Sequence, residues 1–155
     1  MDPAAIVNSA VVAAVVSGAV AGAVSLSAVR WQQSRGELLA LRSTLDALNR
    51  IAMDFPYLES DRYAASWKAD DKEDDQRLRY ESYCVSVFNL LERYWSYYGG
   101  HRQSIEDAIG VGEWVRRHQA WWKYPQRRLD NVRGYRRGFR AFVASYIQPG
   151  MMEDE

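Results

Sequence analysis

Between Ala4 and Val29 the chain runs for 26 residues without a charge, and no other feature limits its folding so strongly. As a helix rising about 1.5 Å per residue, the stretch reaches roughly 39 Å, more than the approximately 30 Å hydrocarbon layer of a bilayer. Ten of its residues are Ile, Val or Leu, opposed by Asn8, four serines and two glycines. At about 0.3–0.6 kcal/mol of favourable insertion per large aliphatic side chain, this predicts a transmembrane helix of modest hydrophobicity over residues 1–30. Two other assignments fit less well. A cleaved leader carries Lys or Arg ahead of an apolar core of about 7–15 residues, whereas only Met1, Asp2 and Pro3 precede this stretch. Ser25 and Ser27 are nevertheless small enough to suit a peptidase. A buried core helix would need a surrounding partner more apolar than the rest of this chain.

Arg30, Arg35 and Arg42 follow the stretch and no Lys or Arg precedes it. The positive-inside tendency then places the N-terminus outside and the C-terminal part in the cytoplasm. Trp31 falls at the headgroup boundary, where an indole buries its ring and keeps its N–H hydrated. Ala10, Ala14, Gly18 and Gly22 recur every fourth residue, and Gly18 to Gly22 forms a GxxxG. Such spacing lets two backbones approach in lipid, so Ala14, Gly18 and Gly22 are the candidate helix-association residues. In a segment this rich in alanine and glycine, the same spacing also arises from composition alone.

Residues 31–55 predict a juxtamembrane helical stalk. Leu38, Leu41, Leu45, Leu48, Ala52 and Phe55 alternate at three and four residues, the seam of a heptad. The repeat is short, and a stripe packed on the chain's own later helices is the preferred reading over a coiled coil. Pro56 ends the helix, because the residue before proline is driven out of helical geometry.

Residues 56–149 predict a cytoplasmic antiparallel bundle of about four helices, followed by an acidic tail over 150–155. Residues 57–76 read as a connector in which Asp70, Asp71, Glu73, Asp74 and Asp75 are interrupted by Lys72. This run lacks the glycine and terminal glutamate of a calcium loop and suits a solvated turn before a helix N-terminus. Tyr80, Cys84, Val87, Leu91, Tyr94 and Tyr98, widened by Phe88 and Trp95, mark a helix over 76–98 that Gly99 and Gly100 stop. Ser104 and Asp107 read as a capping pair for a third helical segment, loosened at Gly110 and Gly112, with Val111, Trp114, Val115, His118, Trp121 and Trp122 on one face and Pro125 at its end. Val132, Tyr135, Phe139, Phe142, Val143 and Tyr146 mark a fourth. No strand alternation appears, so the fold class is all-α.

The 20 basic and 20 acidic residues cancel overall but not locally. Residues 54–81 carry nine acids and five bases, and residues 101–148 ten bases and four acids. Arg133, Arg136, Arg137 and Arg140 have the spacing of one helical face, which Arg116, Arg117, Arg127 and Arg128 extend. Arginine forks fit phosphate oxygens, so this set is the candidate contact for anionic lipid, unless it pairs with the chain's own acids. Nucleic acid ranks lower because a neutral chain offers little long-range attraction.

Catalytic motifs are absent from the sequence: no P-loop, nucleophile elbow, HExxH or dinucleotide turn is present, and no cofactor is implied. The single cysteine, Cys84, suits a reducing compartment and the role of a small buried residue. Cys84 with His118 or His101, or Glu92 with His118, is the most reactive set the chain offers. His118 lies on an apolar stripe, where a hydrogen-bonded core histidine is the ordinary outcome. The sequence therefore predicts a single-pass membrane protein acting by binding and self-association, with lipid, a second copy and a cytoplasmic protein as partners. Trp121 and Trp122 are its candidate partner surface. The alternative is an effector whose bundle controls assembly of the membrane helix and so perturbs the bilayer.

Overall fold

The computed structural model describes residues 31–67, 74–123 and 131–147. Regular structure among them is entirely helical, as the apolar spacing predicts. The predicted membrane segment, with Ala14, Gly18 and Gly22, lies outside the described residues. Among the described residues no helix is long and apolar enough to cross a membrane. The chain divides into two compact units, Met1–Arg42 and Ser43–Glu155.

Helix α1 covers residues 31–54 and stops at Phe55, ahead of Pro56. All six seam positions are shielded: Leu41 and Leu48 are buried, and Leu38, Leu45, Ala52 and Phe55 are half-buried, as is Thr44 beside them. Beyond Ser43 the helix runs beside the chain's own helix α3, Asp75–Tyr97. Arg93 of α3 donates to Thr44 Oγ1 at 3.5 Å, and the Arg79 guanidinium lies 4.0 Å over the Phe55 ring. As α1 advances from 44 to 55 its neighbour retreats from 93 to 79, so the two helices are antiparallel.

Helix α3 begins where Asp74 accepts a hydrogen bond from the Arg77 N–H at 2.7 Å, a cap that also sets negative charge at the positive end of the dipole. It buries Tyr80, Cys84, Val87, Phe88, Leu91 and Tyr94, and the stripe is wider than its spacing suggested because Tyr83 and Leu90 are buried too. Trp95 and Tyr98 are half-buried. Gly99 and Gly100 end it at φ of 60° and 78°, a conformation in which a side chain is strained.

The third predicted helix is three short ones: α4 Arg102–Ile109, α5 Val111–Arg117 and α6 Gln119–Lys123. Gly110, at φ 58°, makes the first break. The expected Ser104–Asp107 cap is not formed. Helix α4 starts three residues earlier, with His101 at the N-cap, and Ser104 Oγ lies 3.0 Å from His101 Nδ1. Asp107 instead accepts from Gln103 Nε2 at 2.8 Å. Gly112 is held by close approach, since a Cβ there would come within 2.9 Å of Glu106 Oε1 and the Tyr146 ring. The fourth predicted helix is also divided, into a 3₁₀ turn at Asn131–Gly134 and α7 at Arg137–Ala144.

Aromatic rings account for these breaks, because short elements can each be aimed so that a ring meets its neighbour. Phe88 lies between Trp121 and Trp122, with centroids 5.3 and 4.6 Å away, and Trp122 meets Tyr135 at 5.3 Å and Phe139 at 6.1 Å. Trp121 is fully buried and Trp122 is 7% exposed. They are core residues, which corrects the expectation that they form a partner surface. The predicted connector is also partly ordered, as a 3₁₀ turn at Pro56–Glu59 and helix α2 at Asp61–Ala65. Leu58, Ala64 and Trp67 are buried there, and α2 packs on α5 and α6.

Replacing Trp121 by alanine is expected to remove about 3–5 kcal/mol of stability, the usual cost of deleting a buried indole. Denaturant titration of the detergent-solubilised full chain measures it; a loss under about 1 kcal/mol would return the ring to the surface.

Candidate functional site

The polar centre of the domain forms where the 3₁₀ turn, α3 and the α5–α6 junction meet. Pro56 presets the turn's first residue, and Ser60 ends the turn and caps α2 by accepting from the Tyr63 N–H at 3.4 Å. Together they aim Glu59 inward. From α3 come Tyr80, Tyr83 and Cys84, which share a face because they are three and four residues apart. His118 occupies the junction itself, with its N–H bonded to the Trp114 carbonyl and its own carbonyl accepting from Trp122.

Glu59 Oε1 accepts from Tyr83 Oη at 2.5 Å and lies 3.3 Å from His118 Nε2. Glu59 Oε2 accepts from Arg117 Nη1 at 2.5 Å. On the far side of the imidazole, His118 Nδ1 lies 3.0 Å from Tyr80 Oη and 3.8 Å from Cys84 Sγ. With the proton on Nε2, His118 donates to Glu59 and accepts from the Tyr80 hydroxyl, so both ring nitrogens are satisfied. Arg117 also binds Asp61 and Glu113, each at 2.9 Å. Those two carboxylates are largely in water, so the Glu59 bond is the one made where screening is weak.

Electrostatics follow from this geometry. Burial alone pushes the Glu59 carboxyl upward, but the hydrogen bonds from His118, Tyr83 and Arg117 outweigh it and hold it at about 2 instead of 4.5. Burial raises the Tyr83 hydroxyl, and its bond to Glu59 raises it further. Tyr80 is raised by burial and by Cys84 beside it. The Cys84 thiol is pushed well up by burial; Tyr80 opposes this, while the Glu59 and Glu81 charges add to it.

In this arrangement Cys84, His118 and Glu59 have the order of a thiol, a base and an orienting carboxylate. A working nucleophile needs a stabilised thiolate and an approach for substrate. Here Cys84, His118 and Tyr80 are each 0% exposed and the environment favours the thiol. Its chemistry is that of a sealed hydrogen-bond network.

Family models, characterised proteins and solved structures give no match to this chain. What the centre does is therefore argued from its own residues.

Of the pairs expected from sequence, the structure brings together Cys84 and His118 only. His101 is exposed beside Ser104. Glu92 accepts from the Arg136 N–H at 2.9 Å rather than meeting His118. The four arginines do not share one helical face, because the backbone leaves the helix between them. Arg133 is on the 3₁₀ turn, Arg136 is the extended cap of α7 at φ −56° and ψ 141°, and Arg137 and Arg140 are in α7. Arg136 also donates to Ser96 Oγ at 3.1 Å. Of the proposed extension, Arg116 is exposed, Arg117 is taken up by acids of the same chain, and Arg127 and Arg128 lie outside the described residues. Among the described residues no group of three His, Cys, Asp or Glu is placed to hold a metal ion.

Glu59 and Tyr83 were not anticipated. Glu59 sits in the stretch that reads as solvated connector, and Tyr83 falls beside the main apolar stripe. The available signal was local: Pro56 opening a turn, Ser60–Asp61 as a helix start, and the apolar Leu58 and Trp67 inside a supposedly polar segment.

Two outcomes follow. A carboxyl held below its unfolded value contributes stability that is present above about pH 4.5 and lost as pH falls toward 2. Discounted for partial exposure, Glu59→Gln is expected to cost about 2 kcal/mol at neutral pH. Its stability should also change less than the wild type's across that acid window, and parallel curves would show that Glu59 is not the titrating group. Second, the Cys84 thiol of the native chain should resist a maleimide until denaturant is added, as read by intact mass; prompt native labelling would contradict the sealed centre.

Proposed function

We propose that this chain is a single-pass membrane protein whose helical domain, on the cytoplasmic side, acts as an interaction or sensory module by binding and self-association. The carrying observation is where apolar surface is left uncovered. Among the described residues five large apolar side chains are exposed, and four of them, Trp31, Leu39, Ile51 and Met53, belong to α1. The fifth is Leu78. Together with the packed stripe of α1, the domain after Pro56 encloses its core, while the other sides of α1 keep apolar groups outside. Isolated exposed apolar residues are ordinary, whereas their concentration on one element favours a contact. The sealed centre points the same way, toward a scaffold that binds.

Self-association, on this reading, belongs to Ala14, Gly18 and Gly22, because α1's own heptad stripe is the protected side of that helix. The test uses the full chain expressed in bacterial cells. Expected results are retention in carbonate-washed membranes, labelling of Asp2→Cys but not Ser86→Cys by an impermeant maleimide on intact cells, and cross-linked dimers that Gly18→Leu with Gly22→Leu removes. Release by carbonate would end the membrane reading. Collapse of membrane potential on induction, abolished by the same double change, would favour the bilayer-perturbing effector instead.

A further inference from the structure

We propose that the first turns of α1, residues 31–42, lean onto an anionic bilayer surface through Trp31, Arg35, Leu39 and Arg42. The inference rests on the membrane tether proposed above and adds a contact surface to it. All four residues belong to the compact unit Met1–Arg42. At about 100° of rotation per residue, they fall within an arc of about 80° on the helix. Glu37, the acid within this span, lies on the opposite side, and the buried Leu41 lies about 80° outside the arc's edge. The arc is therefore aromatic, aliphatic and basic, with no negative charge.

Each member is free to meet a partner. Trp31 is 58% and Leu39 65% exposed, and Arg35 and Arg42 are exposed as well. The Arg35 guanidinium sits 3.8 Å over the Trp31 ring. That contact holds the indole along the helix surface and leaves the cation's edge facing outward. An indole seated at the acyl boundary with guanidinium groups at phosphate level is the arrangement an anionic headgroup layer favours.

Two features favour lipid over a second copy of the chain. The uncharged stretch ends at Val29 and Trp31 follows Arg30, so a bilayer holding that stretch lies directly beside the arc. Both charges of the arc are positive, so two identical faces would repel. The lean follows from dimensions. In an upright helix Leu39 would stand about 12 Å beyond Trp31, outside a headgroup layer of about 5–8 Å. Leaning brings all four side chains to one depth, as in an interfacial amphipathic helix.

The experiment places an environment-sensitive fluorophore on Leu39→Cys in the otherwise intact full chain, labelled in the native state where Cys84 is buried. The labelled protein is reconstituted in phosphatidylcholine vesicles with and without phosphatidylglycerol, and carbonate resistance is measured on the same samples. Expected is a blue-shifted emission, quenched by headgroup-level spin-labelled lipid, that strengthens with phosphatidylglycerol. Arg35→Gln with Arg42→Gln should reduce it several-fold while carbonate resistance stays unchanged. Water-like emission in a carbonate-resistant protein would overturn the inference and leave the tether standing. A blue shift indifferent to phosphatidylglycerol, with disulfide cross-linking between copies of the unlabelled Leu39→Cys protein under oxidation, would overturn it in favour of a second copy. Release by carbonate would overturn both proposals.

Discussion

One carboxylate ties the domain together. Glu59 receives bonds from Tyr83 on α3, His118 at the α5–α6 junction and Arg117 on α5. A half-buried carboxylate loses its stabilising bonds when a donor moves away, so each of these elements is favoured where its donor is needed. The tie converts a stretch of chain with few apolar side chains into ordered structure. Pro56–Ala65 buries only Leu58 and Ala64, too little to hold it by hydrophobic contact alone.

Around that centre the bundle is built from rings more than from long helices. Phe88, Trp121, Trp122, Tyr135 and Phe139 form a continuous set of contacts. Rings make large, directional contacts, and short helices separated by turns let each ring take its own approach angle. Gly110 and Gly112 serve this, the first by adopting a left-handed turn and the second by letting Tyr146 and Glu106 come close. Rings continue into the polar cluster, where the His118 ring lies 5.7 and 5.8 Å from Tyr80 and Tyr83.

Much of the fold was legible because apolar spacing is a local property. The stripe of α3, the stop at Gly99 and Gly100, and the end of α1 before Pro56 all depend on residues adjacent in sequence. Boundaries failed where the deciding partner is distant. Helix α4 begins before Ser104, and the arginine set loses its common face because Tyr135 packs on Trp122 and the Arg136 N–H turns to Glu92. Trp121 and Trp122 looked available because two adjacent tryptophans imply a large surface, yet Phe88 already accounts for them. Of the centre, Cys84 and His118 were visible as chemistry-bearing groups on apolar stripes. Glu59 was hidden by the acids that follow it, and nothing local distinguishes a carboxylate that will meet three donors from one that faces water.

The proposed tether and the proposed lipid-facing arc both require the helical domain to hold its shape while α1 engages its surroundings. The most direct test of the tie is amide hydrogen exchange in Arg117→Met. The account predicts faster exchange at Leu58 and Ala64, whose amides bond to Phe55 and Ser60, with little change at Val87 and Leu91 in α3. Unchanged protection at Leu58 and Ala64, or an equal loss throughout α3, would contradict it.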